Sequence, residues 1–374
     1  MAGRIVARYR VTDADVREVA EAIRVEQTIE FPAELAPEWI RDSVVGRVEA
    51  VTDDEVELSY DPAVVGADPL QLLGVLWGNV SLFEGVRLVA LQLPETVLEL
   101  FPGPRFGVAG VRALVGAPDR PLLATALKPL GTSATRLADL AATFAENGFD
   151  LVKDDQGLTD QTWAPWAERV VRCADAVRRA NERTGRRALY LPSLNVPGHR
   201  AVEQAHRAKE LGAGGLLVVP GLVGFETLRA LANDPDLGLP LMAHPAALGS
   251  WVVNRTQGWR HGLVLGLLNR LFGADVTVFP NAGGRFSFAP DECADIAAEC
   301  ARALPRIAPA LPAPGGGITL DRVDDVLASY GRDVVLLVGG AVHRGDLAAN
   351  ARRLRAAVEA ASPATASTAG RDAS

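Results

Sequence analysis

The chain has 374 residues, 48% of them hydrophobic, with a formal net charge of −8. That length supports a sizeable core and about two domains, or one large barrel with an appendage. The negative charge argues against nucleic acid as a partner, and the absence of any purely apolar run of about 18 residues argues against a membrane span.

The opening residues lead straight into a strand-like stretch and lack the apolar region of a signal peptide. Ile5, Ala7 and Tyr9 alternate with polar residues, as in a half-buried strand. Asp13 is placed to cap a helix carrying Val16, Val19, Ala20 and Ile23. Residues 46–51 and 55–60 flank the turn Thr52-Asp53-Asp54 and predict a hairpin. Pro69 opens an apolar helix through Trp77, and residues 86–93 form the next strand. The order β-α-β-β-α-β over residues 1–115 is that of a ferredoxin-like α+β domain.

From Pro121 the pattern changes to short apolar runs alternating with helical stretches. The predicted strands are 122–127, 149–152, 188–191, 215–219, 240–243, 275–279, 308–312 and 334–338. Between and after them the spacing predicts helices from Ser133 to Gly148 and over 165–184, 199–211, 225–233, 259–272, 291–304, 320–330 and 346–361. Strand and helix alternating eight times imply an α/β fold whose C-terminal domain, residues 116–361, is a (β/α)8 TIM barrel. A doubly wound sheet is the competing fold, but its first turn is usually rich in glycine, and here that turn reads Lys128-Pro129-Leu130-Gly131. Residues 362–374 are small and polar and are expected to form a disordered tail.

Cys173, Cys293 and Cys300 have no metal-like spacing and read as reduced residues of a cytoplasmic protein. The chain holds three lysines, Lys128, Lys153 and Lys209, against 35 arginines. A lysine kept where arginine is the rule points to a need for its primary amine, which can lose a proton or carry an adduct. Lys209 falls on an exposed helix face, whereas the other two fall at strand ends.

Barrel enzymes work at the C-terminal ends of their strands. Lys128 ends the first strand there, and Lys153-Asp154-Asp155-Gln156 ends the second. His244 ends the fifth, and Gly283-Gly284-Arg285 follows the sixth. The seventh runs into Gly315-Gly316-Gly317 and the eighth into Gly339-Gly340, with His343 close behind. Both unusual lysines and both glycine clusters therefore meet at one rim. The glycine loops are read as phosphate-binding rather than as plain turns. Asp155 can ligate Mg²⁺, and Gln156 can offer a carbonyl oxygen.

At these residues the chain resembles the large-subunit family of ribulose-bisphosphate carboxylase, and within it the RuBisCO-like proteins. Trp77-Gly78-Asn79-Val80 resembles the segment whose Asn helps bind metal or substrate. Phe101-Pro102-Gly103-Pro104-Arg105-Phe106-Gly107 resembles the segment joining the two domains. Lys128-Pro129 resembles the Lys-Pro that handles the enolisation proton. Residues 148–155 resemble the metal motif, with Lys153 matching the carbamylated lysine and Asp155 a metal ligand. His244 matches an active-site histidine, and Gly317, Gly339 and Gly340 match phosphate-binding glycines.

The departures from that pattern are specific. Gln156 stands where the carboxylases have Glu, Leu130 follows the Lys-Pro in place of a second lysine, and Pro245 replaces an Arg. Phe279-Pro280 replaces a region with a histidine, and Arg285 lies nearest to the place of the mobile-loop lysine. In the family the missing groups hold the second phosphate and the CO₂-derived carboxylate. The resemblance therefore implies metal-assisted enolisation of a monophosphorylated ketose or sugar keto-acid, with its apolar far end against Phe279 and Pro280, and not carboxylation.

On that reading Lys128, Lys153 and His244 are catalytic. Lys153, Asp155 and Gln156 hold Mg²⁺, and Asn79, Arg285, Gly316, Gly317, Gly339 and Gly340 bind substrate. The family also implies a homodimer in which Asn79, with Glu26 or Glu30, is lent to the other chain's barrel mouth. Two further readings stay open: a non-catalytic sugar-phosphate-binding barrel, and a metal-independent lyase working through a Schiff base on Lys128 or Lys153.

Overall fold

The computed structural model describes residues 3–360. The first strands are β1 (Ile5–Val11), β2 (Arg47–Val51), β3 (Glu55–Tyr60) and β4 (Val86–Gln92). They pair antiparallel in the spatial order β4-β1-β3-β2, the ferredoxin-like arrangement. Helices Val16–Glu26 and Pro69–Trp77 pack on one face, burying Val16, Ala20 and Ile23 from the first and Leu72, Val75 and Leu76 from the second. The cap of the first helix is Asp15, whose carboxylate accepts from Arg17 and Glu18 N–H, and not Asp13. Asp13 instead lies at φ 61 in the preceding turn, where a short polar residue tolerates the left-handed region.

The barrel opens with β5 (Leu122–Leu127), β6 (Leu151–Asp154), β7 (Leu189–Leu191), β8 (Leu216–Val218) and β9 (Leu241–Ala243). After a two-residue strand, β10 (Gly258–Trp259), it continues with β11 (Val276–Pro280), β12 (Leu311–Gly315) and β13 (Val335–Leu337). Eight of these strands run parallel in the order β7-β6-β5-β13-β12-β11-β9-β8. A bridge between Ser193 and Leu217 joins the ends and closes the ring. The alternation read from the sequence is therefore a closed barrel, not an open sheet.

Strand side chains alternate between the two faces of a sheet, and the buried residues divide accordingly. Leu122, Ala124, Leu151, Leu191, Leu217, Met242, Val276, Val278, Leu311, Ala313, Val335 and Leu337 form one cluster inside the barrel. Leu123, Leu127, Val152, Val218 and Ala243 join the larger cluster beneath the surrounding helices. Helix Gly107–Val115 plugs the lower end, adding Val111 and Val115 to the interior. Asp275 receives the start of that helix by accepting from Phe106 and Gly107 N–H at 2.7 and 2.8 Å.

One predicted helix is corrected. Residues 259–272 do not form a single α-helix: β10 pairs parallel with β4, adding a fifth strand to the N-terminal sheet. A π-helix, Gly262–Leu268, and a short α-helix, Asn269–Leu271, follow. All seven residues of the π-helix are buried, so no polar face exists to define a period. All three cysteines are buried and free. Among the described residues no helix is long and apolar enough to cross a membrane. The expected tail, residues 362–374, lies outside the described residues.

Candidate active site

Alternation along the strands decides what reaches the barrel mouth. Leu122 and Ala124 face the interior, and the same two-residue step carries on through Ala126 to Lys128. Leu151 leads likewise to Lys153 and Asp155, and Met242 to His244. Residues from three separate strands thus converge on the inner wall at the C-terminal rim.

There Lys128 Nζ donates to Asp155 Oδ2. Lys153 is 1% exposed, and its amine donates to the main-chain oxygen of Asp154 at 3.1 Å. Burial pulls that amine down to about 8, opposed by the charge of Asp155 and helped by that of Lys128. A buried amine with so little compensation is easily neutral, which suits it to act as a nucleophile or base. Burial, and then the positive charges of Lys153 and Lys128, push the His244 imidazole well below its ordinary range. Ala246 N–H donates to His244 Nδ1 at 3.2 Å. A neutral ring therefore carries its hydrogen on Nε2 and can donate from that atom.

Asp154 steps the other way, and its role was not visible in the sequence. Fully buried behind the wall, its carboxylate accepts from Arg169 Nε and Ser193 N–H at 3.1 Å each and from Tyr190 hydroxyl at 2.8 Å. It ties the end of β6 to β7 and to helix Trp166–Thr184, and so fixes the flanking Lys153 and Asp155. Asn195, beyond β7, donates to the main-chain oxygen of Gln156. Gln156 itself is half-buried.

Gly316 and Gly317 follow β12, and Gly339 and Gly340 follow the adjacent β13. Among the described residues the N–H groups of Gly316, Gly317, Ile318, Gly339 and Gly340 find no main-chain acceptor. Side by side on one rim, they are donors available to an anion. His343 lies behind them, edge-on to Phe144.

Other expected residues sit elsewhere. Arg285 is exposed in the loop after β11, with its guanidinium 5.0 Å from the Phe286 ring centroid. Asn79 belongs to the N-terminal unit, where its side chain donates to Glu26 at 2.7 Å. Phe279 is corrected: it is fully buried and packs edge-on against Tyr330 on the outer face of β11. Its neighbour Pro280 has the inward parity, and Leu130 is half exposed at the rim.

Among the described residues no group of three or more His, Cys, Asp or Glu side chains could hold a metal. Lys153, Asp155 and Gln156 supply one amine, one carboxylate and one carboxamide. Uptake of CO₂ by the Lys153 amine would turn that set into three oxygen donors, two of them anionic, which suits a hard divalent cation.

Residues 107–285 match the family described as ribulose bisphosphate carboxylase large chain, catalytic domain. A 5-methylthioribulose-1-phosphate isomerase of Rhodospirillum rubrum is 39% identical, over 91% of each chain. A 2,3-diketo-5-methylthiopentyl-1-phosphate enolase of Bacillus pumilus is 32% identical, over 91% of this chain and 87% of that one. The crystal structure of a RuBisCO-like protein from Rhodopseudomonas palustris superposes over the whole of both chains, with a TM-score of 0.86 at 36% identity. The chain belongs to the ribulose bisphosphate carboxylase large-chain family, among its RuBisCO-like proteins.

Proposed function

We propose that this protein enolises a monophosphorylated ketose or sugar keto-acid, as an isomerase or as a decarboxylase or transcarboxylase, and does not carboxylate ribulose bisphosphate. The observation that carries the proposal is the company of Lys128 at the mouth. Lys153, Asp155, His244 and a rim of unpaired N–H groups are kept, while Leu130, Pro245 and Pro280 stand where a second phosphate would need charge. The names of the two enzyme relatives describe a five-carbon skeleton with one phosphate at carbon 1 and a methylthio group at carbon 5. A substrate of that shape suits a rim with one anion site and an apolar far side.

The glycine loops hold the phosphate through main-chain N–H groups. The other end of the substrate lies toward Leu130 and Pro280. His244, its hydrogen on Nε2, donates to a substrate oxygen and so favours the form in which that oxygen gains charge. Lys128 removes the proton from the carbon beside the carbonyl and returns it elsewhere on the skeleton. Lys153 as a carbamate, Asp155 and Gln156 would hold Mg²⁺, whose charge would stabilise the enolate oxygen. Asp155, which accepts from Lys128 here, would also serve as one of those ligands. Gln156 in place of an anionic residue lowers the charge of the set, which would hold a divalent cation less tightly than three anions would.

The test is Lys128→Met. The variant should fold and bind metal as the wild type does, yet lose at least about a hundredfold in proton exchange at the carbon beside the carbonyl, the contribution expected of a general base. Unchanged exchange would remove Lys128 from the mechanism. Burial of the Lys153 amine also supports a Schiff-base reading; borohydride trapping of a substrate adduct in the presence of a chelator would decide for it.

A further inference from the structure

We propose that Arg322 is a positioning residue that locks the loop after β11 onto the glycine loop after β12, so that N–H groups of both face the substrate phosphate. This rests on the phosphate reading of the glycine loops given above.

Arg322 ends the short turn Leu320–Arg322, ahead of helix Val323–Tyr330. Its Nη1 donates to the Gly317 carbonyl at 3.0 Å and its Nη2 to the Ala282 carbonyl at 3.4 Å. One guanidinium thus grips one carbonyl from each of the two loops. In a trans peptide the C=O and the following N–H point in opposite directions. Holding the carbonyls of Gly317 and Ala282 on the arginine side therefore turns the N–H groups of Ile318 and Gly283 away from it. Among the described residues neither of those N–H groups has a main-chain acceptor, although Ile318 is 2% exposed. A buried donor without an acceptor is costly, and a bound anion removes that cost.

The two loops also touch directly. Gly317 has a φ of +66, and a Cβ placed on it would lie 3.0 Å from the Gly283 carbonyl and 3.1 Å from Gly284 Cα. Backbone meets backbone there, so neither loop can shift without the other. The planar fork of arginine suits the task, because its donors are fixed relative to one another. A lysine ammonium carries the same charge without that geometry.

The experiment titrates inorganic phosphate into the full-length protein by calorimetry, for wild type, Arg322→Met, Arg322→Lys and Gly317→Ala. We expect Arg322→Met to weaken phosphate binding about tenfold, the scale of one net hydrogen bond, with an unchanged thermal midpoint when phosphate is absent. Arg322→Lys should stay weakened, because charge without the fork does not hold both carbonyls. Wild-type affinity in Arg322→Met would overturn the proposal. Wild-type affinity in Arg322→Lys would overturn it too, reducing Arg322 to a point charge. Phosphate binding that survives Gly317→Ala undiminished, or that the wild type lacks, would overturn the phosphate reading itself.

Discussion

Asp275 shows how much a single side chain holds in this fold. Its Oδ1 receives the plug helix beneath the barrel through Phe106 and Gly107 N–H, and its Oδ2 accepts from Leu241 N–H at 2.9 Å. Burial raises its carboxyl to about 6, against the opposing effect of those three donors. The unfolded chain releases this proton near pH 4, whereas the folded chain holds it to about pH 6. The contribution of this group is therefore fully present below about pH 4, falls as pH rises to about 6, and is flat above that. Asp275→Asn should abolish that slope. It should also cost about 1–3 kcal/mol, because its carboxamide N–H₂ would face Leu241 N–H. Urea midpoints compared between about pH 4 and pH 7 check both points; an unaltered slope in the variant would move the effect to another group.

Legibility at this scale followed rarity. Lys128 and Lys153 stood out because the chain hardly uses lysine, and the barrel brings both to the inner wall beside Asp155 and His244. Asp154 was hidden, since its partners Arg169, Tyr190 and Ser193 are 15, 36 and 39 residues away. Arg322 was hidden for the opposite reason, being one of 35 arginines. Phe279 was misplaced because its facing depends on strand parity, which follows only once the register of β11 is known.

Elements were legible wherever one face is polar. β3 and helix Phe225–Asn233 lie on their predicted residues, because alternation or helical spacing survives in each. The stretch after Asn254 failed the same reading. Gly258–Trp259 is too short to alternate, and Gly262–Leu268 is buried all round. Here close approach sets the structure. A Cβ on Gly266 would lie 2.8 Å from both Glu299 Cβ and the Ile296 carbonyl of the neighbouring helix. Gly266→Ala should therefore destabilise the protein by about 1–3 kcal/mol, the usual penalty of overpacking. Thermal unfolding checks it; an unchanged midpoint would show that the two helices have room to part.

Across the whole molecule, exposed large apolar side chains occur on the barrel, such as Trp163 and Leu222, and on the N-terminal unit. Leu35 and Trp39 are each 67% exposed and Leu82 is 80% exposed, and all three flank the Asn79–Glu26 pair in sequence. The homodimer expected from the family resemblance, with Asn79 serving the partner's barrel, makes a prediction at this scale. Separate Asn79→Ala and Lys128→Met preparations should each be inactive. Unfolded together and refolded as a mixture, they should regain activity, because one site of each hybrid has both residues intact. No recovery in a mixture shown to contain hybrids would place Asn79 and Lys128 in the same chain's site.

The central claim is enolisation without carboxylation. Its most direct test is proton NMR in D₂O of 5-methylthioribulose 1-phosphate and of ribulose 1,5-bisphosphate with the wild-type protein, Mg²⁺ and ¹³C-bicarbonate. Enolisation should give Mg²⁺-dependent deuterium at the carbon beside the carbonyl of the monophosphate, and no ¹³C in any product of the bisphosphate. Carboxylated product from ribulose bisphosphate, or a monophosphate bound at the glycine loops with no deuterium gained, would contradict it.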